Sequence, residues 1–103
     1  DKILELKPRS RNVSASGGRT YNPGWHAARD IKFQLILSEA IVRSALERKE
    51  SRGAQWRVDY PATDADWGTK NVVVTLEEGE LTVGTVPLPG MSPELETIMQ
   101  ETA

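Results

Sequence analysis

The sequence has 103 residues, 38% of them hydrophobic, with 13 basic and 15 acidic side chains that leave a net charge of −2. This length predicts one domain with a modest core, and the small net charge favours neither a nucleic-acid partner nor direct membrane insertion. Because there is no cysteine and His26 is the only histidine, disulfides, thiolate metal sites, a cysteine nucleophile and histidine-rich zinc sites are excluded.

Residues 1–22 are predicted to be the end of a helix followed by a loop. "DKILELK" has the pattern of the last turns of a helix, which Pro8 is expected to stop. The residues after it are rich in serine, glycine and arginine, as loops are. Because the sequence opens in the middle of a helical pattern, on Asp1 rather than methionine, we expect a fragment of a longer chain.

The strongest signal is a long helix over residues 23–52, with periodicity that holds to about Glu50. Asn22 is placed to cap its first amides, and Pro23 suits the first helical position because its φ is already helical. Gly53 is expected to end the helix in a left-handed conformation. The helix carries a broad apolar stripe that it cannot bury alone, which predicts helical partners outside the chain. Its members are Ala28, Ile31, Leu35, Val42 and Ala45, widened by Phe33, Ile36, Leu37, Ala40 and Ile41.

The rest of the sequence predicts a loop, a β-hairpin and a short helix. Residues 53–70 show no regular period, and two strand-like runs within residues 71–87, "NVVVTL" and "ELTVGTV", are joined by a Glu-Glu-Gly turn. Residues 88–103 form a tail whose short helix begins with Ser92 as cap and Pro93 as first residue. The predicted fold class is therefore α+β, mainly α.

Several polar groups have an ordinary structural interpretation. His26, in the first turn of the long helix, is expected to be a neutral surface side chain because no partner for a general base is identifiable. A group in the first loop could hold phosphate or nucleic acid, but the helix and hairpin show no matching basic face. We therefore expect no nucleic-acid binding, and either a solvated loop or arginines paired with acids of a neighbouring domain. That group consists of Lys7, Arg9, Arg11, Arg19 and Tyr21. Gly17 and Gly18 lack the spacing and the preceding strand of a phosphate loop.

Four acidic residues, Glu50, Asp59, Asp64 and Asp66, could be imagined as a metal or acid–base cluster. The run "DADWGTKNVVVT" has the first two oxygen ligands of a calcium-binding EF-hand loop and lacks its closing glutamate. We therefore expect these carboxylates to be solvated and to act in capping.

The segment "ERKESRGAQWRVDYP", residues 47–61, concentrates arginine and aromatic side chains where the long helix stops. Arg52 suits the negative end of the helix dipole, and Gly53 permits a sharp turn. Trp56 and Arg57 are side chains typical of interfaces. Two interpretations remain open: a helix cap with incidental charges, or a docking loop against another domain.

Three stretches resemble one known family. "RTYNPGWHAARD", then "SEAIVRSALERKESRGAQWRVDYP", then Trp67 resemble the C-terminal domain of the flavoprotein subunit of succinate dehydrogenase and fumarate reductase. The resemblance covers roughly residues 9–90, and L-aspartate oxidase has a similar "ESRG…DYP" signature. The sequence departs from the family at Gln55, where histidine is most common, although an amide can also donate and accept hydrogen bonds.

The resemblance implies part of a larger enzyme that interconverts succinate and fumarate with FAD and passes electrons to an iron–sulfur subunit. In that family this domain is a helical bundle, spectrin-repeat-like, that packs on the flavin domain. We therefore expect no cofactor, metal or catalytic residue in this chain, and a location in the cytoplasm, peripheral on the inner face of the cell membrane. The docking turn onto the flavin domain would consist of Glu50, Ser51, Arg52, Gly53 and Arg57, with the arginines paired to its carboxylates or carbonyls.

Two alternatives remain open. The chain could be a stand-alone protein-interaction module, or the C-terminal domain of L-aspartate oxidase, which the long "NPGWH" approach disfavours. Because the helix stripe and the hairpin edge would both be exposed, we expect the isolated fragment to form a dimer or a domain-swapped form.

Overall fold

The structure is a computed structural model that describes residues 2–102. It consists of α1 (Lys2–Ser10), α2 (Pro23–Glu47), a 3₁₀ turn (Asp66–Thr69), β1 (Lys70–Glu77), β2 (Glu80–Pro87) and α3 (Pro93–Thr102). The α+β, mainly α, fold is confirmed. The predicted ranges 1–22 and 88–103 each include one terminal residue, Asp1 and Ala103, that lies outside the described residues.

The predicted stop of the first helix at Pro8 is wrong, because α1 contains Pro8 and continues to Ser10. A proline has a helical φ, and although it loses one hydrogen bond and crowds the carbonyl four residues earlier, Pro8 lies in the last turn, where little helix remains to be disturbed. The helix then ends in a turn in which the Arg11 amide donates to the Pro8 carbonyl at 3.3 Å. The Ser10 hydroxyl closes the same turn by donating to the Lys7 carbonyl at 2.7 Å.

The start of α2 is confirmed and its predicted end is wrong. The Trp25 amide donates to Asn22 Oδ1 at 3.1 Å, as expected of an N-cap before Pro23. The helix ends at Glu47 rather than at residue 52, and Arg48 is already extended, with φ −73° and ψ 106°. Gly53 has the expected positive φ of 57°, but it lies in a separate turn beyond the helix.

The hairpin and the last helix are confirmed. β1 and β2 are antiparallel, in the register that pairs Glu77 with Glu80. Glu78 and Gly79 have φ values of 50° and 86°, and positive φ at both central residues is typical of a type I′ turn. At the start of α3, the Ser92 hydroxyl accepts from the Leu95 amide at 3.4 Å, as expected of a cap.

Glu39 joins the helices to the hairpin. This side chain is 5% exposed and forms ion pairs with Lys7 of α1 and with Arg43, one turn further along α2. The Lys7 ammonium, supported by Arg43, lowers the pKa of the Glu39 carboxyl despite its burial. Arg43 Nη1 then donates to the carbonyl of Leu81 in β2 at 2.9 Å.

The described chain is extended and has little core of its own. Leu81, 9% exposed, is the only buried hydrophobic side chain among residues 2–102. The Cα radius of gyration is 19.9 Å, whereas a compact domain of this length has one of about 13 Å. None of the helices in this range is both long and apolar enough to cross a membrane.

Candidate functional site

The carboxylate of Glu50 is the centre of a hydrogen-bonded group that follows α2. It is fully buried. Its Oε1 accepts from Arg52 Nε at 2.8 Å and from Arg48 Nη1, and its Oε2 accepts from the Asp64 amide at 2.9 Å. The expectation of a solvated role is therefore wrong for Glu50, because two guanidinium groups and an amide replace water around it. Asp59, Asp64 and Asp66 are exposed, as expected.

The two arginines that hold Glu50 also bind the chain that leads to the hairpin. Arg48 donates to the carbonyls of Trp67 at 3.1 Å and Lys70 at 3.2 Å, and its guanidinium lies 5.4 Å from the centroid of the Trp67 ring. Arg52 Nη2 donates to the carbonyl of Asp64 at 2.9 Å. Together with Glu50, these bonds fix the path of the loop from the end of α2 to β1.

The electrostatics of this group keep it charged. The Arg52 guanidinium lowers the pKa of Glu50 to about 2, with help from the Asp64 amide and Arg48, although burial acts in the opposite direction. The same contact raises the pKa of Arg52. A carboxylate with this pKa is ionised throughout the neutral range, so Glu50 is unsuited to general acid–base catalysis near pH 7.

Gln55 and Arg57 cap the C-terminus of α2. Gln55 Nε2 donates to the carbonyls of Ala45 at 3.4 Å, Arg48 at 3.2 Å and Glu50 at 3.3 Å. Arg57 Nη1 donates to the carbonyls of Ala45 at 3.2 Å, Leu46 at 2.7 Å and Arg48 at 3.1 Å. A cation at this position also complements the helix dipole. The amide of Gln55 therefore serves as a donor at the position where the resemblance leads us to expect histidine.

The remaining bonds of Arg57 and Ser51 fix the loop between these caps. Arg57 Nε and Nη2 donate to the two carboxylate oxygens of Asp59 at 3.0 and 2.6 Å. The Ser51 hydroxyl accepts from the Arg57 amide at 2.8 Å and donates to the Tyr60 carbonyl at 2.8 Å. The Ser51 amide donates to the Ala62 carbonyl at 3.0 Å.

Gly53 makes the turn possible. Arg52 and Gln55 exchange two backbone hydrogen bonds, at 2.9 and 3.0 Å, across the intervening residues Gly53 and Ala54. Positive φ at the first central residue alone is typical of a type II′ turn, which favours glycine there. We call Arg48, Glu50, Ser51, Arg52, Gln55 and Arg57 the polar cluster.

The structure thus brings together all five residues of the predicted docking turn, and it adds Arg48, Gln55 and the backbone amide of Asp64. The sequence pattern does not place these three in the turn, because the groups that they bond lie elsewhere in the loop or on α2. Arg52 and Arg57 have partners within the chain, with side chains 43% and 16% exposed. Their docking role stays a prediction.

The other candidate residues lie apart from the polar cluster. His26 is exposed and stands edge-on to Trp25, with ring centroids 5.1 Å apart. Arg19 and Arg29 each lie 5.7 Å from the centroid of the Trp25 ring. Tyr21 is 98% exposed. Within residues 2–102, no three histidine, cysteine or acidic side chains are grouped so that they could hold a metal ion.

The described residues do not fit a dinucleotide such as FAD. The strands form one antiparallel hairpin, whereas a dinucleotide site requires a strand, a glycine-rich turn and a helix in succession. Gly17 and Gly18 follow a helix rather than a strand. The amide of Trp25 at the start of α2 is capped by Asn22.

Comparison with known proteins identifies the family. A sequence profile described as "Fumarate reductase flavoprotein C-term" matches residues 1–101. The chain belongs to this family. This assignment agrees with the resemblance in the "ESRGAQWRVDYP" segment.

Individual relatives agree with this assignment. The fumarate reductase flavoprotein subunit of Haemophilus influenzae is 38% identical over 65 residues, which is 62% of this chain and 11% of the relative. The L-aspartate oxidase of Streptomyces coelicolor is 30% identical over 97 residues, or 90% of this chain and 16% of the relative. The solved structure of Mycobacterium smegmatis Sdh1 in complex with UQ1 is 37% identical with a TM-score of 0.85, covering 99% of this chain and 18% of that chain. The domain therefore spans less than a fifth of the length of these proteins.

Proposed function

We propose that this domain is the C-terminal part of the flavoprotein subunit of a succinate dehydrogenase or fumarate reductase. The complete subunit binds FAD, interconverts succinate and fumarate, and passes electrons to an iron–sulfur subunit. The observation that carries the proposal is the family match over residues 1–101, supported by the likeness of the whole described fold to Sdh1.

In this proposal the domain is a scaffold, and the catalytic residues and the flavin site lie in the rest of the polypeptide. The polar cluster supports a structural role, because Glu50 is held as a carboxylate by partners within the chain. The five residues predicted for docking form the turn that faces the flavin domain. Arg52 has the more exposed side chain of the two arginines, 43% against 16% for Arg57, and is therefore the better candidate for a polar contact there.

The exposed side of α2 supports packing against other helices of the same polypeptide. Phe33, Ile36, Leu37 and Ile41, which we call the open stripe, are between 40% and 62% exposed. At 100° per residue, Phe33, Leu37 and Ile41 lie on the side of the helix roughly opposite Glu39, and Ile36 lies at the edge of that side. Glu39 pairs with Lys7 of α1, so the open stripe lies away from that contact. A helical bundle completed by the rest of the subunit would cover it.

The assembled enzyme would lie in the cytoplasm, peripheral on the inner face of the cell membrane, held there through its complex. The partners are the flavin domain of the same polypeptide and the iron–sulfur subunit. A self-associated form of the isolated fragment follows from the same exposed stripe, which would find a substitute partner in a second copy.

The C-terminal domain of L-aspartate oxidase is the second candidate. One observation favours it: the Streptomyces coelicolor L-aspartate oxidase aligns with 90% of this chain, whereas the Haemophilus influenzae fumarate reductase subunit aligns with 62%. The aligned identity favours the fumarate reductase instead, at 38% against 30%.

The test is to capture the natural polypeptide with an antibody against this chain and to record its intact mass, flavin absorbance and substrate use. We expect a yellow polypeptide several times heavier than 11.4 kDa that oxidises succinate with an artificial electron acceptor. Oxidation of L-aspartate in its place would select the second candidate. A colourless protein of about this chain's own mass would contradict both and leave a stand-alone interaction module.

A further inference from the structure

Side chains alternate in direction along residues 55–58. Gln55 and Arg57 point toward α2 and cap its carbonyls, as described above. Trp56 and Val58, between and after them, are 71% and 89% exposed. Trp56 lies between the two caps that point inward, and Val58 follows the second cap where the chain bends, so both apolar side chains stay on the outside of the loop.

The backbone that carries Trp56 and Val58 is fixed on both sides. Before Trp56, the Arg52–Gln55 pair closes the turn with two backbone bonds. After it, the Arg57 amide is held by the Ser51 hydroxyl at 2.8 Å, and the guanidinium of Arg57 is held by α2 and Asp59. Exposed apolar side chains on a fixed backbone are preorganised for binding, because little chain entropy remains to be lost. Tryptophan is also the residue type that most often dominates the energy of an interface.

We propose that Trp56 and Val58 form a docking anchor that inserts into an apolar pocket in the remainder of the same polypeptide. Under the proposed function, on which this inference rests, that remainder is the flavin-bearing part. The inference assigns the interdomain contact to these two side chains. Arg57 then holds the anchor in place from behind, through bonds within the domain, and Arg52 lies beside it.

The size of the anchor favours a tethered partner. One tryptophan and one valine present at most roughly 400 Å² of side-chain surface, which is about half of the 800 Å² per partner that a specific complex of separate proteins buries. A pocket on the same polypeptide meets the anchor at an effective concentration in the millimolar range, so a small contact is sufficient. The domain covers 18% of the Sdh1 chain, so a polypeptide of that kind has most of its surface elsewhere.

The chemistry around the anchor indicates what the pocket contains. Arg52, 43% exposed, and Asp59, 61% exposed, lie near the anchor in the sequence and provide charges of both signs. An apolar centre with a polar rim is the usual arrangement of a protein interface. The indole N–H of Trp56 requires an acceptor when it is buried, so we expect a carbonyl or carboxylate at the base of the pocket.

The test is hydroxyl-radical footprinting of the full-length polypeptide, with oxidation of Trp56 read by mass spectrometry in the native state and in urea. A docked Trp56 is desolvated, so we expect its oxidation in the native state to be slower by about tenfold or more. A rate within about twofold of the unfolded rate would overturn the proposal, because a freely exposed side chain gives that result. Protection that appears only after another subunit is added, or only at high protein concentration, would also overturn it.

The flavin absorbance of the same sample separates this inference from the proposed function. A polypeptide without flavin that still protects Trp56 would refute the proposed function and retain an anchor to its own chain. A flavin-bearing polypeptide in which Trp56 stays reactive would support the proposed function and refute the anchor.

Variants provide a second readout through limited proteolysis of the full-length polypeptide. We expect Trp56→Ser to increase the rate at which this domain is released by on the order of tenfold, and Val58→Thr, which retains the shape of valine, to have a smaller effect. Trp56→Phe should restore most of the resistance. Ala54→Ser, in the exposed turn of the same loop, is the matched control and should release the domain at the unchanged rate. Equal rates for Trp56→Ser and Ala54→Ser would contradict the anchor.

Discussion

The open stripe lies on α2 and the polar cluster lies in the loop that follows this helix, yet the two regions are completed in different ways. Glu50 in the cluster is fully buried and is bonded to three groups of its own chain. Leu37 in the stripe is 62% exposed. A buried charge requires partners at fixed positions, and this chain supplies them locally. Apolar burial is not directional, so another part of a polypeptide can complete it after this domain has formed its own bonds.

Among the changes that test this comparison, removal of the Glu50 carboxylate should lower stability the most. Glu50→Gln leaves two arginines facing a neutral amide in a buried site, so we expect the melting temperature of the chain to fall by on the order of 10 °C. The measurement is thermal unfolding followed by circular dichroism. Glu94→Gln makes the same chemical change at an exposed position of α3 and should leave the melting temperature almost unchanged. Equal melting temperatures for the two variants would show that the cluster does not hold the loop.

Acidification should weaken the same site. Because the pKa of Glu50 in the folded chain is about 2, below its ordinary value of 4.5, the carboxylate stabilises the fold fully above pH 4.5. That contribution is lost as the pH falls from 4.5 to about 2. We therefore expect the melting temperatures of the natural chain and Glu50→Gln to converge over this window. A difference that stays constant down to pH 2 would contradict the assigned pKa.

Loss of Arg57, the cationic cap of α2, should affect mainly the last turn of that helix. Arg57→Met keeps an apolar stem and removes the donors to Ala45, Leu46 and Arg48. We expect amide hydrogen exchange in the last turn of α2 to rise by on the order of tenfold while the N-terminal turns stay unchanged. Arg29→Met, on an exposed part of α2, is the control. A uniform change along α2 would indicate global destabilisation rather than loss of a cap.

Gln55, the uncharged cap of α2, should contribute less to stability than Glu50 does. Gln55→Leu removes the amide that donates to three carbonyls and retains a side chain of similar size, so we expect the free energy of unfolding to fall by about 1–2 kcal/mol. Urea denaturation provides the measurement. Gln55→Glu should be worse, because a carboxylate would face the same carbonyls as an acceptor. If Gln55→Glu were as stable as the natural chain, the hydrogen bonds assigned to this amide would be wrong.

The open stripe should be the least sensitive region in the chain alone. Leu37→Ser should change the free energy of unfolding by less than about 0.5 kcal/mol, because the leucine is largely exposed. The same variant in the complete polypeptide should lose clearly more, since Leu37 would there be covered. Equal effects in the two settings would show that nothing covers the stripe.

These regions also differ in how far the sequence predicts them. The cap formed by Asn22 and Pro23, the hairpin turn and the Ser92 start of α3 depend on neighbouring residues, and local rules predicted each of them. The end of α2 depends on Gln55 and Arg57, which lie 10 and 12 positions after Ala45. Rules that consider only neighbouring residues continue the helix to residue 52, because they do not include caps from that distance.

Partners that are distant in the sequence also explain why the burial of Glu50 was not predicted. Glu50 is buried because the Asp64 amide, 14 positions later, folds back onto it. Its sequence neighbours gave no sign of burial. Gly53 and the clustered arginines mark residues 50–53 and 57 locally as one segment, and the docking role of this segment stays a prediction. The sequence marks Trp56 as an interface side chain, whereas the exposure of Val58 follows from the inward direction of the two caps, which only the folded loop shows.

The most direct test of this account is amide hydrogen exchange, measured on the isolated chain and on the complete polypeptide. We expect the Asp64 amide, which donates to Glu50, to be equally protected in both. The amides of α2 along the open stripe, residues 33–41, should become more protected in the complete polypeptide, where their apolar side chains are covered. Equal protection of the α2 amides in both proteins would show that the rest of the polypeptide does not cover the open stripe. Protection of the Asp64 amide only in the complete polypeptide would show that this chain does not complete the polar cluster by itself. Either result would contradict the account.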